Sequence, residues 1–545
     1  MSTETKITKE ALQDIEEIYE TDYEIGQDNV ERFGFDMHNP VFFVSTLLIL
    51  AFVLLSLVFP ESSKSALEAA RTWIVETFDW LFLSAGNLFV LFCLALIVLP
   101  VGSIRLGGED ATPEFSVASW FAMLFAAGMG IGLMFWSVAE PVGYFTDWFG
   151  TPLNVEGLTP EAREAAVGAT MYHWGLHAWA IYGVVALSLA FFAYNKGLPL
   201  TIRSTFYPLL GDRVWGWVGD VIDTVAVLAT LFGLATSLGL GAQQAASGLS
   251  FLFDLEGGLQ TQILIIAGVT AVAVISVIRG IDGGVKLLSN VNMIFAALLL
   301  LFVIVAGSIS SFFTNLGDTL SGYAKYILPL SNPVGRDDTT FYHSWTVFYW
   351  AWWISWSPFV GMFIARVSRG RTVRQFLTAV LIVPTVVTVI WMSAFGGNGL
   401  DQVEAGVAIR GAGELAEGIG DSSLALFQML AELPWTAITS FLSICLVLVF
   451  FITSSDSGSL VIDSITSGGK IDAPVPQRVF WATTEGVVAA VLLGVGGSAA
   501  LQALQAGAIS TGLPFTLVLL AMCVSLARGL HHERKLMDYQ DAIQS

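Results

Sequence analysis

The sequence predicts an all-α membrane protein with twelve transmembrane helices, on three observations. Of its 545 residues, 55% are hydrophobic and only 13% are charged, and the mean hydropathy is +0.71. A soluble domain carries about 25% charged residues, so this chain lacks the polar surface to face water and is expected to be solvated by lipid. A helix needs roughly twenty apolar residues to cross a hydrocarbon core about 30 Å thick, and about twelve runs of that kind follow one another along the chain. Length alone would suggest three or four soluble domains at about 150 residues each; the composition replaces them with one long bundle.

Residues 1–40 precede the first apolar run. Asp14, Glu16, Glu17, Glu20, Asp22, Glu24 and Asp28 make this tail acidic, and it reads as a solvated, disordered end, with a regulatory or halotolerant tail as the alternative. It lacks the short basic start of a cleavable signal, so the first span is expected to insert and stay. Spans are predicted over 41–60, 80–102, 115–145, 168–194, 214–253, 264–278 and 288–313. After a polar interval they continue over 342–367, 373–395, 435–462, 479–495 and 500–526. The transporter-sized region is thus 41–530, and a short polar tail, 531–545, closes the chain. Between the two groups, 311–328 is too short and polar to span and reads as an interfacial helix, with a plain loop as the alternative.

Basic residues orient the bundle. Arg105, Lys196, Arg203, Arg213, Arg279, Lys286, Lys470, Arg478, Arg528, Arg534 and Lys535 fall on one side, with the cluster Arg366, Arg369, Arg371 and Arg374. The opposite loops are acidic or mixed, notably 401–421. Both termini are therefore expected in the cytoplasm, with the bundle in a bacterial inner membrane. The formal net charge of −21 and pI near 4.6 exclude a nucleic-acid partner, whose phosphates demand a basic face. Cys93, Cys445 and Cys523 lie inside apolar runs, so neither a disulfide framework nor a metal cluster is expected. No nucleophile–base pair stands out, and an enzyme is not expected.

Two predicted spans carry breaks five spans apart, so an odd-numbered unit repeated once would invert one relative to the other. Paired broken helices of this kind point to a central substrate site. In the third span Gly128, Gly130 and Gly132 come at every second position. They read as an unwound stretch whose amides at a half-helix end receive a carboxylate; close helix packing is the alternative. In the eighth, Ser355, Trp356, Ser357 and Pro358 are expected to interrupt the helix.

Aromatic residues crowd the same regions: Tyr172, Trp174, Trp179 and Tyr182 in the fourth span, Trp350, Trp352, Trp353 and Trp356 in the eighth. Tryptophan ordinarily collects at membrane interfaces. Deep in a span it suits a quaternary ammonium, whose methyl groups donate no hydrogen bond and whose diffuse charge an aromatic cage can solvate, at about 0.5–2 kcal/mol per contact. Packing by large residues is the alternative. In the tenth span Thr453, Ser454, Ser455, Asp456, Ser457 and Ser459 form a polar run whose oxygens suit a hard cation such as sodium. Asp456 is a functional candidate as an intramembrane carboxylate, or a cap near the helix end. His173 and His177 could carry protons, or pack against a neighbouring helix.

These stretches resemble the betaine/carnitine/choline transporter family. The match is carried by Ala126–Gly132, by 174–182 and above all by the aromatic run 349–371. The resemblance implies the leucine-transporter fold: two inverted five-helix repeats, about 115–313 and 342–526, after two extra N-terminal helices. It also implies alternating access and a homotrimer. By similarity to the family's sodium-coupled glycine betaine symporters, Trp174, Trp179, Tyr182 and Trp353 would form the ammonium cage, with Trp356 beside it on the path. Ala126 and Met129 would offer carbonyls, and Thr453 and Ser454 hydroxyls, to one sodium, with Phe450 nearby. Sodium would be the coupling ion, with no cofactor besides.

Departures from the pattern matter. A second sodium would use Thr230 and Phe359, but Leu234 stands where a further threonine is expected and offers no side-chain oxygen. The tail after Leu530 lacks the long basic extension linked to osmotic sensing. Gly132 occupies a position that is acidic in proton-driven choline carriers, and the fifth span has no arginine to replace sodium. The expectation is therefore sodium-coupled uptake of glycine betaine or a similar osmolyte. The rivals are a sodium-independent or proton-coupled choline or carnitine carrier, a carrier of ectoine, proline or a sulfonium osmolyte, and a membrane sensor or channel.

Overall fold

The computed structural model describes residues 19–128, 130–279, 282–406 and 421–544. Met129, and Asp14, Glu16 and Glu17 of the acidic tail, lie outside them, as does most of the loop 401–421. Helices of ten or more residues are numbered here in chain order. A small antiparallel hairpin, β1 (Asn29–Arg32) and β2 (Phe35–His38), comes first. α1 (Val41–Val58) and α2 (Pro60–Val98) follow. The next segment divides into α3 (Val117–Gly128) and α4 (Ile131–Phe145), and the one after into α5 (Pro160–Trp174) and α6 (Leu176–Tyr194). Then come α7 (Trp217–Phe253), α8 (Leu259–Arg279), α9 (Asp282–Ala306) and α10 (Ile309–Ser331). The last five are α11 (Val347–Arg366), α12 (Val373–Glu404), α13 (Thr436–Thr466), α14 (Val475–Gly496) and α15 (Ala500–Gln544).

Burial sorts these helices into two shells. α4, α6, α7 and α11 are buried almost all round, and α11 packs on α6, α15 and α7. α1, α8 and α9 leave large apolar side chains outward, among them Leu47, Leu54, Leu264, Ile278, Leu298 and Leu301. Such faces are at home against lipid tails, which are as apolar as leucine.

Among the described residues, ten helical segments are long and apolar enough to cross a membrane. Two predicted spans fall outside that set, each for a physical reason. The 115–145 span is split into pieces of 12 and 15 residues, roughly 18 and 22 Å long at 1.5 Å per residue. The 342–367 span yields α11, 20 residues long, but its tryptophans and serines dilute its hydropathy.

Several expectations are corrected. The helix that carries the second span begins at Pro60, ahead of the run expected from residue 80. Pro60 sits in the first helical turn, where its missing N–H costs nothing, and the polar residues Glu61–Lys64 hid a helix that continues into the apolar run. The expected break in the eighth span is absent: α11 runs through Pro358. Proline frees the carbonyl four residues earlier, here that of Ile354, and the Ser357 hydroxyl donates to that carbonyl at 2.7 Å. A π-type turn, Tyr342–Thr346, precedes the helix instead.

The described part of the acidic tail is not a free end. Its hairpin docks on the ends of α13 and α14: Lys470 pairs with Asp36 at 2.5 Å, Asn29 donates to the Ser467 carbonyl at 2.9 Å, and the Gln477 side chain accepts from the Asp36 amide. Tyr23 stacks on Trp215 with ring centroids 4.1 Å apart. Several basic residues used to orient the bundle meet at this same end. Lys196 pairs with Glu533, Arg203 with Asp220 and Asp223, and Arg534 with Asp538. Residues 531–544 are likewise a continuation of α15 rather than a loose tail.

The 311–328 segment is helical, as α10, and buries Phe312, Asn315, Thr319, Gly322, Tyr326 and Leu330 along one face. That face lies on α5 and α12, where Arg163 ties Asn315, Asp401 and Glu404 together at 2.7–2.9 Å. Gly168 of α5 and Gly322 of α10 let the two backbones nearly touch: a Cβ on Gly322 would stand 2.8 Å from the Glu164 carbonyl oxygen. Gly322→Val should therefore cost about 1–3 kcal/mol by overpacking, read as a lower melting temperature of the detergent-purified protein. A melting temperature equal to the parent's would refute this close approach.

Candidate substrate and cation sites

Both helix breaks converge on one cavity. α3 ends at Gly128 and α4 starts at Ile131, with Gly130 extended between them (φ −165°, ψ −173°). Any residue can adopt that conformation, so the demand for glycine comes from packing. A Cβ on Gly132 would lie 2.8 Å from both the Trp174 and the Trp352 rings. The first amides of α4 have no intrahelical partners and no side-chain cap, leaving donors at a helix N-terminus where anions are favoured.

The second break, at Gly175, is absent from the sequence reading. It ends α5 on Trp174 and starts α6, and the Tyr323 hydroxyl of α10 accepts from the Leu176 amide at 2.9 Å. A Cβ on Gly175 would stand 2.6 Å from that hydroxyl. The break thus sets the position of Trp174 at a helix end, while Trp179 and Tyr182 follow on α6.

The resulting cavity is lined by Gly130, Gly132, Leu133, Trp174, Ala178, Trp179, Tyr182, Trp352, Trp353, Trp356 and Thr388. Its rings meet at steep angles. Trp174 and Trp353 are 4.8 Å apart at 71°, Trp179 and Tyr182 5.4 Å at 75°, and Tyr182 and Trp353 6.2 Å at 73°. Trp352 stacks on Trp353 at 4.7 Å. Among the described residues, no acidic or basic side chain lines this space. Trp352 and Thr388 were not singled out in the sequence; Trp352 was legible only as part of the aromatic run.

A second cavity lies beyond Trp356, which borders both. Ala126, Phe359, Phe450, Thr453 and Ser454 line it, with Ser289, Met293 and Ser457. The Thr453 hydroxyl donates to the Val449 and Phe450 carbonyls, which leaves its lone pairs available. Ala126 is in the last turn of α3, whose terminal carbonyls lack helical partners. Helix-end carbonyls beside hydroxyls are a donor set that fits a sodium ion. Gly128 ends α3, and its part in either cavity lies outside the described residues.

Thr230 and Phe359 are not brought together at either cavity. Phe359 lines the second, but the buried Thr230 lines neither and donates to the Ala226 carbonyl of its own helix at 2.7 Å. Leu234 is buried against α13, where a Cβ on Gly458 would collide with it. Asp456 is half-buried on α13 and does not line the second cavity.

Sequence reasoning missed Glu140. This fully buried carboxylate of α4 accepts from Trp174 Nε1 and from the Tyr349 hydroxyl, both at 2.6 Å, and lies 2.7 Å from His173 Nδ1. The rule that an ionisable residue inside a span is a functional candidate would have found it; it was applied only to Asp456. His173 also lies 3.0 Å from the Thr346 hydroxyl. His177 contacts the Asn87 side chain at 3.1 Å and stacks on Trp350. Both histidines are thus built into the packing.

Residues 40–535 match the family model for the BCCT, or betaine/carnitine/choline, family transporters. The chain is 65% identical over 517 residues to glycine betaine transporter 1 of Vibrio parahaemolyticus, covering 94% of this chain and 98% of that one. It is 61% identical to a glycine betaine/proline/choline/ectoine transporter of the same organism, over 94% of this chain and 91% of the other. It is 43% identical to the glycine betaine transporter OpuD of Bacillus subtilis, over 91% and 95% of the two chains. A match of this extent makes the chain a membrane transporter rather than an enzyme, and a member of the betaine/carnitine/choline transporter family.

Proposed function

We propose that this protein takes up glycine betaine together with sodium, by alternating access. The observation that carries the reading is the first cavity. Its walls are indole and phenol faces without an acidic or basic side chain, a surface suited to a methylated onium group. The free amides of α4 at its edge suit the carboxylate of the same molecule. Trp174, Trp179, Tyr182 and Trp353 form the cage, Gly130 and Gly132 admit the solute to the backbone, and Trp356 stands on the path between the cavities. Relatives named as glycine betaine transporters support this choice of solute.

The sodium is assigned to the second cavity, held by Thr453, Ser454 and the Ala126 carbonyl, with Phe450 alongside and Met129 as a further carbonyl donor. Solute and ion favour the same occluded state, so each raises the affinity for the other. Thr230 and Phe359 are a weak pair for a second sodium, because Leu234 supplies no oxygen between them. The wider frame belongs to the same proposal: twelve spans, two inverted five-helix repeats, both termini in the cytoplasm of a bacterium, and a homotrimer in the inner membrane. A broader solute range is the second reading, favoured by the relative named for proline, choline and ectoine as well as glycine betaine.

Proteoliposomes test the coupling. An inward sodium gradient should drive betaine above its external concentration, and Thr453→Val should raise the half-saturating sodium concentration about tenfold, the effect of losing about 1.4 kcal/mol of ligation. Uptake indifferent to sodium would refute symport, and uptake that only equilibrates would indicate a channel. For the cage, Trp353→Leu should weaken betaine binding about 2- to 30-fold, the equivalent of a cation–π contact of about 0.5–2 kcal/mol. Tryptophan-fluorescence titration measures it, and unchanged affinity would remove Trp353 from the site. Competition by proline, ectoine and choline against labelled betaine separates the narrow reading from the broad one.

A further inference from the structure

The cage is held from behind by a single carboxylate that does not line it. Glu140 is 0% exposed, and its two oxygens collect contacts from four side chains. Trp174 Nε1 and the Tyr349 hydroxyl donate to Oε2 at 2.6 Å each; the Tyr144 hydroxyl donates to Oε1 at 3.2 Å, and His173 Nδ1 is 2.7 Å from the same oxygen. An indole N–H can only donate, which makes Oε2 an acceptor. The other ring nitrogen of His173 lies 3.0 Å from the Thr346 hydroxyl. A hydroxyl donating there leaves the imidazole proton on Nδ1, facing Glu140. Among the described residues no lysine or arginine is bonded to the carboxylate, and His173 is the one bonded partner able to carry a positive charge.

Two cage walls depend on this group. Trp174 is bonded to Glu140 directly. Trp353 donates through Nε1 to the backbone carbonyl of His173 at 2.8 Å, and His173 is itself bonded to Glu140. We propose that Glu140 is a positioning and specificity residue: it fixes Trp174 and His173, and its charge makes the cavity prefer an onium group over an uncharged group of the same shape. The physics has two parts. A charge-assisted bond at the indole N–H pushes electron density toward the ring face, which strengthens its attraction for a cation. In addition, a negative charge in a region of low dielectric acts over a longer range than it would in water. The inference rests on the first cavity being the solute site.

The test compares glycine betaine with 3,3-dimethylbutanoate, which has the same shape and carboxylate but carbon in place of the quaternary nitrogen. Both are titrated against the purified full chain by tryptophan fluorescence. Wild-type protein should favour betaine by about tenfold or more; equal affinities would overturn the proposal without any variant. Glu140→Gln keeps the shape and removes the charge. It should weaken betaine about tenfold while the isostere stays within about twofold or binds better. A purely structural role would weaken both alike, and that result would overturn it. Glu140→Asp retains the charge and serves if the glutamine variant does not fold: it should keep the wild-type preference, and its loss would count against the proposal. Wild-type protein that binds no betaine would sink the functional reading and this inference together. Betaine binding with an unchanged preference in Glu140→Gln would sink this inference alone.

Discussion

Backbone that leaves the helix inside a bilayer has no water to turn to, so every freed N–H and C=O must be met by protein or face an enclosed cavity. That constraint organises this molecule. At Gly175 a tyrosine from α10 takes the exposed amide, which explains why an amphipathic helix is packed so tightly against the bundle. At Pro358 a serine takes the exposed carbonyl and the helix survives. Between Gly128 and Ile131 nothing on a side chain caps the new helix, and the chain uses the opening: the bare end of α4 faces the aromatic cavity. Of these three sites, two are repaired and one is left open, and the open one is beside the cage.

Trp356 gives the interior its division of labour. On one side are ring faces; on the other are hydroxyls and a helix-end carbonyl. A methylated cation and a bare one are solvated by different means, the first by polarisable surface and the second by oxygen lone pairs. In the proposed function, two adjoining chambers bordered by one indole, the second with four hydroxyl side chains among its lining, meet both needs in a short distance. Glu140 adds a third element, a carboxyl group sealed behind the aromatic wall.

Much of this was legible in the residues. The alternate glycines marked the break between α3 and α4, and the density of aromatics marked the walls of the cavity, because both patterns conflict with an ordinary lipid-facing helix. The polar run of α13 marked the residues that line the second chamber. The rest depended on partners that lie far apart in the chain. Ser357 cancels the effect of Pro358 only because its rotamer reaches one particular carbonyl. Gly175 breaks its helix with the help of a tyrosine nearly 150 residues later. The tail 19–38 looked like a solvated end because its acids were counted alone, while the lysine, glutamine and backbone groups that receive it lie beyond residue 460. Glu140 was a single acid in a long apolar stretch, and its significance came largely from partners on two other helices, α5 and α11.

The contact at Gly132 also bears on how such a protein could change its trade. A carboxylate at that point would alter the charge economy of the interior, but two indoles already occupy the volume its first carbon would need. One of those rings would have to shrink beforehand, at the expense of the wall it forms. In the proposed sodium-coupled carrier, a side chain at Gly132 therefore requires one of those rings to give way as well, and the shape of the chamber works as a brake on that kind of drift.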